Sequence, residues 1–253
     1  MRRKLLIVSD VDGTLLGDAA ALQQLGCWLA QPRDAEVVWV YSSGRFFESV
    51  RRTVIEHHLP EPRAIIGGVG SEIVNYANGQ PIAGWSEQLD SRFAAAKIQQ
   101  ALRQFARLEL QPAEFQSRFK VSYYFHNAKA EELRQLESAL SRAEINCQLI
   151  YSSQRDLDIL PAQANKGNSA KFIAALWKYP QENVIVAGDS QNDLSMFRTH
   201  FRGIVVGNAV AELRSISSQN VFQADKQFAA GVLQGLQHWL QQSPKTDRLQ
   251  PRS

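Results

Sequence analysis

The feature that most constrains the fold is an apolar run near the start of the chain that ends in two aspartates. Residues 5–8 are Leu-Leu-Ile-Val, and after Ser9 come Asp10 and Asp12. A strand that is apolar at every position is typical of a parallel sheet covered on both faces. Polar residues that directly follow such a strand lie at the edge where open α/β sheets bind ligands. The stretch therefore predicts a buried strand that presents Asp10 and Asp12 to a ligand.

The spacing of the two aspartates favours a catalytic or metal-binding pair. Two positions along an extended chain place both carboxylates on one side, about 6–7 Å apart, and both stay ionised there only if a cation or proton intervenes. A calcium-binding EF-hand loop would need Gly and Glu at its sixth and twelfth positions, which are Leu15 and Ala21 in this chain. A surface role as a helix cap is the other alternative, and it does not explain the apolar strand that precedes the pair.

The order of patterns along the chain predicts an α/β fold with an insertion. Strand-like apolar runs and amphipathic helical patterns alternate up to residue 82, which indicates right-handed βαβ crossovers and a parallel sheet. From 83 to 160 the pattern changes to a helix at 90–108, an alternating strand at 119–125, a second helix at 130–142 and two further short strands, as in a small α+β unit. The first pattern then resumes. We predict a Rossmann-like parallel-sheet core from residues 1–82 and 161–253, with a cap domain at 83–160.

Three further polar clusters bring the number to four, of which three directly follow or adjoin apolar strands, so one sheet edge can collect them all. The three further clusters are Ser43-Gly44-Arg45, Lys166, and Asp189 with Asn192 and Asp193. Several carboxylates with few histidines form a hard oxygen site that suits Mg²⁺. A lysine, a hydroxyl and backbone amides suit a phosphate, and the combination indicates phosphoryl transfer. Taken singly, Lys166 could be a solvated helix start and Ser43 an ordinary helix cap.

In order and spacing the four clusters resemble the four motifs of the haloacid dehalogenase-like phosphohydrolases, and the inserted cap resembles that of their sugar-phosphatase subclass. The chain is further similar to the sucrose-6-phosphate phosphatase family over nearly its whole length. The similar segments are VSDVDGTLLGD, YSSGR, GVGSEI, FKVSYYF, DLDILP, NKGN, GDSQND and GIVVGNA.

The resemblance implies catalytic and metal-binding roles for four aspartates. Asp10 would attack phosphorus and form an aspartyl-phosphate. Asp12 would protonate the departing sugar oxygen and then deprotonate the hydrolytic water. Mg²⁺ would be held by Asp10, Asp189 and the backbone carbonyl of Asp12, with Asp193 in its outer shell.

The resemblance also implies the residues that bind phosphate. Ser43, Lys166 and the amide of Gly44 would contact the phosphoryl oxygens, and Asn192 would orient Lys166 or contact phosphate. Ser43 departs mildly from the family, in which threonine is frequent at this position.

Two segments are expected to bind the sugar. The glycine-rich stretch around Gly70 does not match a dinucleotide-binding loop, because Ile73 occupies its last glycine position. We interpret it as a turn that brings the backbone to the substrate, with Ser71 and Glu72 facing the sugar. In the predicted cap strand, three side chains alternate with apolar ones and so share a face, either toward the active site or toward solvent. These three side chains are Lys120, Ser122 and Tyr124.

Composition excludes several other classes. A net charge of +3 over 253 residues does not form the basic footprint of a nucleic-acid-binding protein. Cys27 and Cys147 have the spacing of neither a disulfide framework nor a metal site, and no apolar stretch is long enough to span a membrane. We expect a monomeric cytoplasmic protein.

The resemblance implies Mg²⁺-dependent hydrolysis of sucrose-6-phosphate to sucrose and phosphate. It also suggests sucrose-phosphate synthase as a candidate partner. The alternatives are a phosphatase for another glycosyl phosphate of the mannosyl or trehalose type, a phosphomannomutase-like isomerase, and a non-catalytic sugar-phosphate sensor.

Overall fold

A computed structural model describes residues 3–32, 35–90 and 92–242. The parts of the predicted core segments that extend beyond these ranges lie outside the described residues. The described chain forms two β-sheets with helices packed against them. No helix in these ranges has the length and apolar character needed to cross a membrane.

The first sheet has the strand order β11-β10-β9-β1-β2-β3-β4. All its neighbouring strands are parallel except β3 and β4, which are antiparallel. Its strands are β1 (Arg3–Ser9), β2 (Ala35–Ser42), β3 (Ala64–Gly67), β4 (Glu72–Asn75), β9 (Val184–Gly188), β10 (Arg202–Val205) and β11 (Val221–Gln223). The parallel-rich sheet confirms the predicted α/β fold class.

Helices cover both faces of this sheet, which explains the continuous apolar run of β1. Leu6 and Val8 are buried in one apolar layer, whereas Leu5 and Ile7 are buried in the layer on the opposite face. The helices of the core segments are α1 (Ala19–Ala30), α2 (Phe47–Glu56), α5 (Lys166–Leu176), α6 (Leu194–Phe197), α7 (Ala211–Arg214) and α8 (Phe228–Gln241).

The second sheet is antiparallel, in the order β5-β6-β8-β7. Its strands are β5 (Glu109–Leu110), β6 (Val121–Tyr124), β7 (Cys147–Ser152) and β8 (Asp156–Pro161). The accompanying helices α3 (Ala95–Leu102) and α4 (Ala130–Arg142) pack on each other and bury Ile98 and Leu136. A separate sheet in this part of the chain is consistent with an inserted cap, and the boundaries at 83 and 160 stay predictions.

Two elements differ from expectation. Helix α3 covers only part of the expected 90–108, because local turns replace helical bonds at both ends. The Asp90 carboxylate accepts from the Arg92 amide at 2.9 Å, and the Phe105 amide bonds to the Leu102 carbonyl, three residues back. Strand β4 was not expected. Gly68, Val69 and Gly70 all have positive φ, at 54°, 59° and 98°, and reverse the chain so that β4 pairs with β3.

Candidate active site

Three carboxylates meet at the carboxyl edge of the first sheet. Asp10 directly follows β1, and its amide donates to the Ala187 carbonyl of neighbouring β9 at 2.9 Å. Asp189 directly follows β9, and Asp193 lies one turn further on. Asp10, Asp189 and Asp193 each offer a carboxylate oxygen within 4.8 Å of the others. The sheet thus gathers residues from distant parts of the described chain, from Asp10 to Asp193.

Lys166 lies between two of these carboxylates. It is the first residue of α5 and has no exposed surface, and its Nζ donates to Asp10 Oδ1 at 2.7 Å and to Asp193 Oδ1 at 2.6 Å. Burial by itself would lower the pKa of this amine, but Asp10 and Asp193 outweigh that effect and raise the pKa above its ordinary value. The two ion pairs therefore favour the charged form of Lys166, and its third N–H has no partner among these carboxylates.

Asp193 bonds to groups on both sides of it and holds them in place. Its Oδ1 accepts from Lys166, and its Oδ2 accepts from the amides of Asp189 and Ser190, both at 3.0 Å. Both oxygens are therefore engaged by the chain itself. This arrangement suits a residue that holds Lys166 and the Asp189 loop in place, and the outer-shell metal role expected of Asp193 stays a prediction.

Asp10 and Asp189 have the properties expected of metal ligands. Asp10 Oδ2 is buried and has no hydrogen-bond partner among the described residues. Burial raises the pKa of Asp10 well above its ordinary value, and Lys166 only partly opposes this shift. Burial likewise raises the pKa of Asp189, against a hydrogen bond from Thr14. A buried, unpartnered carboxylate oxygen beside a second carboxylate fits a hard divalent cation such as Mg²⁺.

Three residues that position Asp189 were not identified from the sequence. The Thr14 hydroxyl donates to Asp189 Oδ1 at 2.7 Å. Gly13 has φ +82°, and a Cβ at this position would lie 2.6 Å from Asp189 Oδ2. The Asn208 amide donates to the Gly13 carbonyl at 2.7 Å, and its Oδ1 accepts from the Phe228 amide at the start of α8. The only sequence signal for these roles is that Gly13 and Thr14 lie in the segment VSDVDGTLLGD and Asn208 lies in the segment GIVVGNA.

Asp12 is separate from the buried cluster. Its side chain is 57% exposed, and its Oδ1 accepts from Arg45 Nη2 at 2.8 Å. The two aspartates of the first motif thus differ in environment, one buried against a lysine and the other open to solvent. The metal contact predicted for Asp12 involves its backbone carbonyl and stays a prediction.

The predicted phosphate-binding residues surround the same edge. Ser43 is fully buried, and its Oγ accepts from the Arg45 amide at 3.1 Å. The Ser190 hydroxyl donates to Asn192 Oδ1 at 3.1 Å, which leaves the Asn192 amide group near Gly44, 3.9 Å from where a Cβ would stand. The absence of a side chain at Gly44 therefore keeps space open beside Asn192.

A cavity of about 530 Å³ lies between the two sheets. The core contributes Gly44, Arg45 and Asn192 to its walls, and the second sheet contributes Lys120, Tyr124 and Asp158. A larger cavity of about 760 Å³ lies between α1 and the end of α2 and contains none of these residues. Chemistry rather than size therefore identifies the candidate site.

The side of the cavity formed by the second sheet carries a buried ion pair. Lys120 Nζ lies 2.7 Å from Asp158 Oδ1 and 2.7 Å from Ser122 Oγ, and the ammonium is 5.5 Å from the ring centre of Phe46 in the core. Ser122 is fully buried and does not line the cavity, whereas Lys120 and Tyr124 do. Asp158 was not singled out from the sequence, although it lies in the segment DLDILP.

Gly70, Ser71 and Glu72 of the glycine-rich turn do not line the cavity, although Val69 of the same turn does. A Cβ on Gly70 would lie 2.7 Å from the Asn165 backbone, so close packing before α5 accounts for this glycine. Ser71 is buried, and its Oγ has no partner among the described residues. Glu72 Oε1 accepts from the Phe47 amide at the start of α2, at 2.7 Å, and burial raises the pKa of this carboxyl. Contacts of Gly70, Ser71 and Glu72 with a substrate stay predictions.

Comparisons with known proteins agree with this geometry. A family model described as sucrose-6F-phosphate phosphohydrolase matches residues 3–240. The mannosylfructose-phosphate phosphatase of Agrobacterium fabrum is 35% identical over 238 residues, which cover 92% of this chain and 96% of that protein. Probable sucrose-phosphatase 2 of Arabidopsis thaliana is 30% identical over 93% of this chain, which spans only 60% of the plant protein.

A solved structure extends the similarity to three dimensions. The X-ray structure of the sucrose-phosphatase from Synechocystis sp. PCC6803, in complex with sucrose and phosphate, superposes with a TM-score of 0.86 at 30% identity. The match covers 94% of this chain and 98% of that one. Fold and site together define the class, the haloacid dehalogenase-like hydrolases that cleave phosphoric monoesters. Within that class, the chain belongs to the sucrose-6F-phosphate phosphohydrolase family.

Proposed function

We propose that the protein is a Mg²⁺-dependent phosphatase that hydrolyses sucrose-6-phosphate to sucrose and phosphate through an aspartyl-phosphate on Asp10. The observation that carries the proposal is the buried cluster of Asp10, Lys166, Asp189 and Asp193 at the carboxyl edge of the first sheet. Asn192, next to Asp193, lines the cavity shared with the second sheet. The family match and the likeness to a sucrose-phosphatase structure support the sugar assignment.

In the first step, a carboxylate oxygen of Asp10 attacks phosphorus while the bond from phosphorus to the sugar oxygen breaks. The departing sugar oxygen takes a proton from Asp12. Asp12 suits this role because it is exposed beside the cavity rather than locked in the buried cluster. In the second step, water attacks the same phosphorus and gives its proton to Asp12, and the bond to Asp10 breaks as phosphate leaves.

The remaining residues of the site would stabilise the negative charges of the carboxylates and of the phosphoryl group. Lys166 forms ion pairs with Asp10 and Asp193, and its third N–H is available to a phosphoryl oxygen. The Ser43 hydroxyl and the amide of Gly44 would bind the other phosphoryl oxygens. Mg²⁺ held by Asp10 and Asp189 would neutralise charge on the transferring phosphoryl group.

A phosphatase for mannosylfructose phosphate is the second candidate. The relative with that name is 35% identical and matches over 96% of its own length. Sucrose and mannosylfructose differ only in the aldose joined to fructose, so residues on the cap side of the cavity would have to discriminate between them. Lys120, Tyr124 and Asp158 are placed to do so.

The test is phosphate release from a panel: sucrose-6-phosphate, mannosylfructose phosphate, trehalose-6-phosphate, fructose-6-phosphate and glucose-6-phosphate. Each is assayed with Mg²⁺ and after chelation, with Asp10→Asn as the inactive control. A kcat/KM at least about 100-fold higher for sucrose-6-phosphate than for the others corresponds to about 2.7 kcal/mol of transition-state discrimination and is the expected result.

Other outcomes contradict particular parts of the proposal. A preference for mannosylfructose phosphate would replace the sucrose assignment, and equal slow rates would remove the disaccharide assignment. Tight binding without turnover would indicate a sensor, and return of phosphate to another position of the sugar would indicate an isomerase. Full activity after chelation would contradict the Mg²⁺ requirement. The monomeric state, the cytoplasmic location and an association with sucrose-phosphate synthase remain predictions from the sequence.

A further inference from the structure

The side chain of Arg45 joins Asp12 to helix α2. Its Nη2 donates to Asp12 Oδ1 and its Nη1 donates to Thr53 Oγ1, each at 2.8 Å. Its Nε is buried and has no partner among the described residues. The guanidinium is therefore held by the two bonds from Nη1 and Nη2. Because the group is planar, two bonds to two different elements set its orientation as well as its position.

Thr53 is a defined anchor for this arrangement. It is buried within α2, away from the cavity walls, and its hydroxyl also bonds to the Ser49 carbonyl at 3.1 Å. A guanidinium can only donate, so the Thr53 oxygen accepts from Arg45 and must give its own hydrogen to Ser49. Arg45 therefore donates in both directions, to Asp12 on one side and to Thr53 on the other, and the Thr53 hydroxyl connects it to the helix backbone.

The backbone of Arg45 is anchored as firmly as its side chain. Its amide donates to Ser43 Oγ at 3.1 Å, and its carbonyl accepts from the Gly68 amide at 3.0 Å. Asp12 itself is 57% exposed, and an exposed carboxylate without a fixed partner would sample several rotamers. The Arg45 bond is the contact that restricts it.

We propose that Thr53, acting through Arg45, is a positioning residue for Asp12. It holds Oδ1 of the carboxylate and so leaves Oδ2 to exchange the proton with the departing sugar oxygen. This inference rests on the role of Asp12 in the proposed function. A small displacement of a catalytic group from its productive position lowers the rate steeply. Loss of the Thr53 hydroxyl should therefore lower the rate of catalysis, although Thr53 lies away from the substrate.

The first test compares Thr53→Val, which keeps the shape but removes the hydroxyl, with Thr53→Ser, which keeps the hydroxyl. We expect kcat/KM for sucrose-6-phosphate to fall about 10-fold in Thr53→Val, since orientation is loosened while the carboxylate remains. Thr53→Ser should stay close to the wild type. Arg45→Lys, which keeps the charge but cannot bridge both partners, should behave like Thr53→Val and serves if that variant folds poorly.

A substrate with a different leaving group distinguishes a loss of Asp12 positioning from general damage to the protein. The nitrophenolate released from p-nitrophenyl phosphate is stable without protonation, so its release does not need Asp12 as an acid. We expect Thr53→Val to leave kcat/KM for this substrate nearly unchanged. An equal loss on both substrates, or a loss on neither, would overturn the inference.

A double-mutant cycle with sucrose-6-phosphate alone gives an independent result. If Thr53 acts through Asp12, Thr53→Val should cause no further loss in an Asp12→Asn background, whereas independent effects would add. Additive losses would overturn the positioning role. If Asp12→Asn by itself retains full activity, the proposed role of Asp12 is wrong instead, so failure of the proposed function is distinguishable from failure of this inference.

Discussion

Lys166 is the residue on which the buried charges of the site depend. It has no exposed surface and bonds to two carboxylates that are almost as deeply buried. In Lys166→Met these carboxylates lose their counter-charge, so we expect unfolding free energy to fall by up to about 3–5 kcal/mol. We also expect kcat to fall at least about 100-fold, because a preorganised cation at the reacting group is lost. Urea denaturation and phosphate-release assays measure the two effects.

The matched control is Lys171→Met. Lys171 lies on the same helix but is exposed, so its replacement should change stability by less than about 0.5 kcal/mol and leave activity intact. If Lys166→Met were as stable and as active as this control, the Lys166 ion pairs would contribute no more to stability than exposed ion pairs do. The electrostatic account of the site would then be wrong.

Residues that could be predicted from the sequence directly follow a buried strand or begin a helix after one. Asp10, Lys166, Asp189 and Asp193 were selected in this way, and the structure brings them together. Residues that were missed act through partners far along the chain. The Thr14 bond to Asp189 spans 175 positions, and the Asn208 bond to Gly13 spans 195. A threonine or asparagine has many local uses, so neither pattern nor composition predicts such a pairing.

At the scale of elements, two helical glycines should respond in opposite ways to alanine. A Cβ on Gly26 in α1 meets no atom within 4 Å, so Gly26→Ala should raise unfolding free energy by about 0.5–1 kcal/mol through helix propensity. A Cβ on Gly235 in α8 would lie 2.5 Å from Ile204 Cγ2 in β10. Gly235→Ala should therefore lower unfolding free energy by about 1–3 kcal/mol through overpacking.

Urea unfolding of both variants against the wild type measures these changes. Because both substitutions are Gly→Ala within a helix, their effects on the unfolded chain are matched, and the difference between them reports packing. A stabilised Gly235→Ala variant would mean that α8 can move away from β10 at little cost.

Helices and strands were predicted well where burial of apolar side chains determines the sequence pattern. They were predicted poorly where local hydrogen bonds determine the structure. Residues 130–142 were expected as a helix and form α4 with the same limits, because their apolar positions keep a helical period. In the segment 90–108, the Asp90 side chain and tight turns compete with the helix, and only Ala95–Leu102 remains. Strand β4 follows a turn in which Val69 has φ 59°. This conformation is uncommon for a β-branched residue, so the reversal could not be expected from the sequence.

At the scale of the whole molecule, the ion pair of Lys120 and Asp158 faces the core across the shared cavity. Its side chains are only 5% and 13% exposed. A buried pair of this kind adds little net stability, because desolvation offsets the attraction. We therefore expect the pair to be retained for binding the sugar, with donors from Lys120 and acceptor oxygens from Asp158 opposite the phosphate-binding end.

Two variants separate binding from stability. Lys120→Met alone leaves Asp158 buried and unpaired, so unfolding free energy should fall by up to about 3–5 kcal/mol. The double variant Lys120→Met/Asp158→Asn removes both charges and keeps an acceptor for the Ser122 hydroxyl, so its stability should return to within about 1 kcal/mol of the wild type. Its KM for sucrose-6-phosphate should remain at least about 10-fold higher, since the hydrogen bonds to the sugar stay lost. Recovery of both stability and KM in the double variant would show that the pair only stabilises the second sheet and that the sugar is recognised elsewhere.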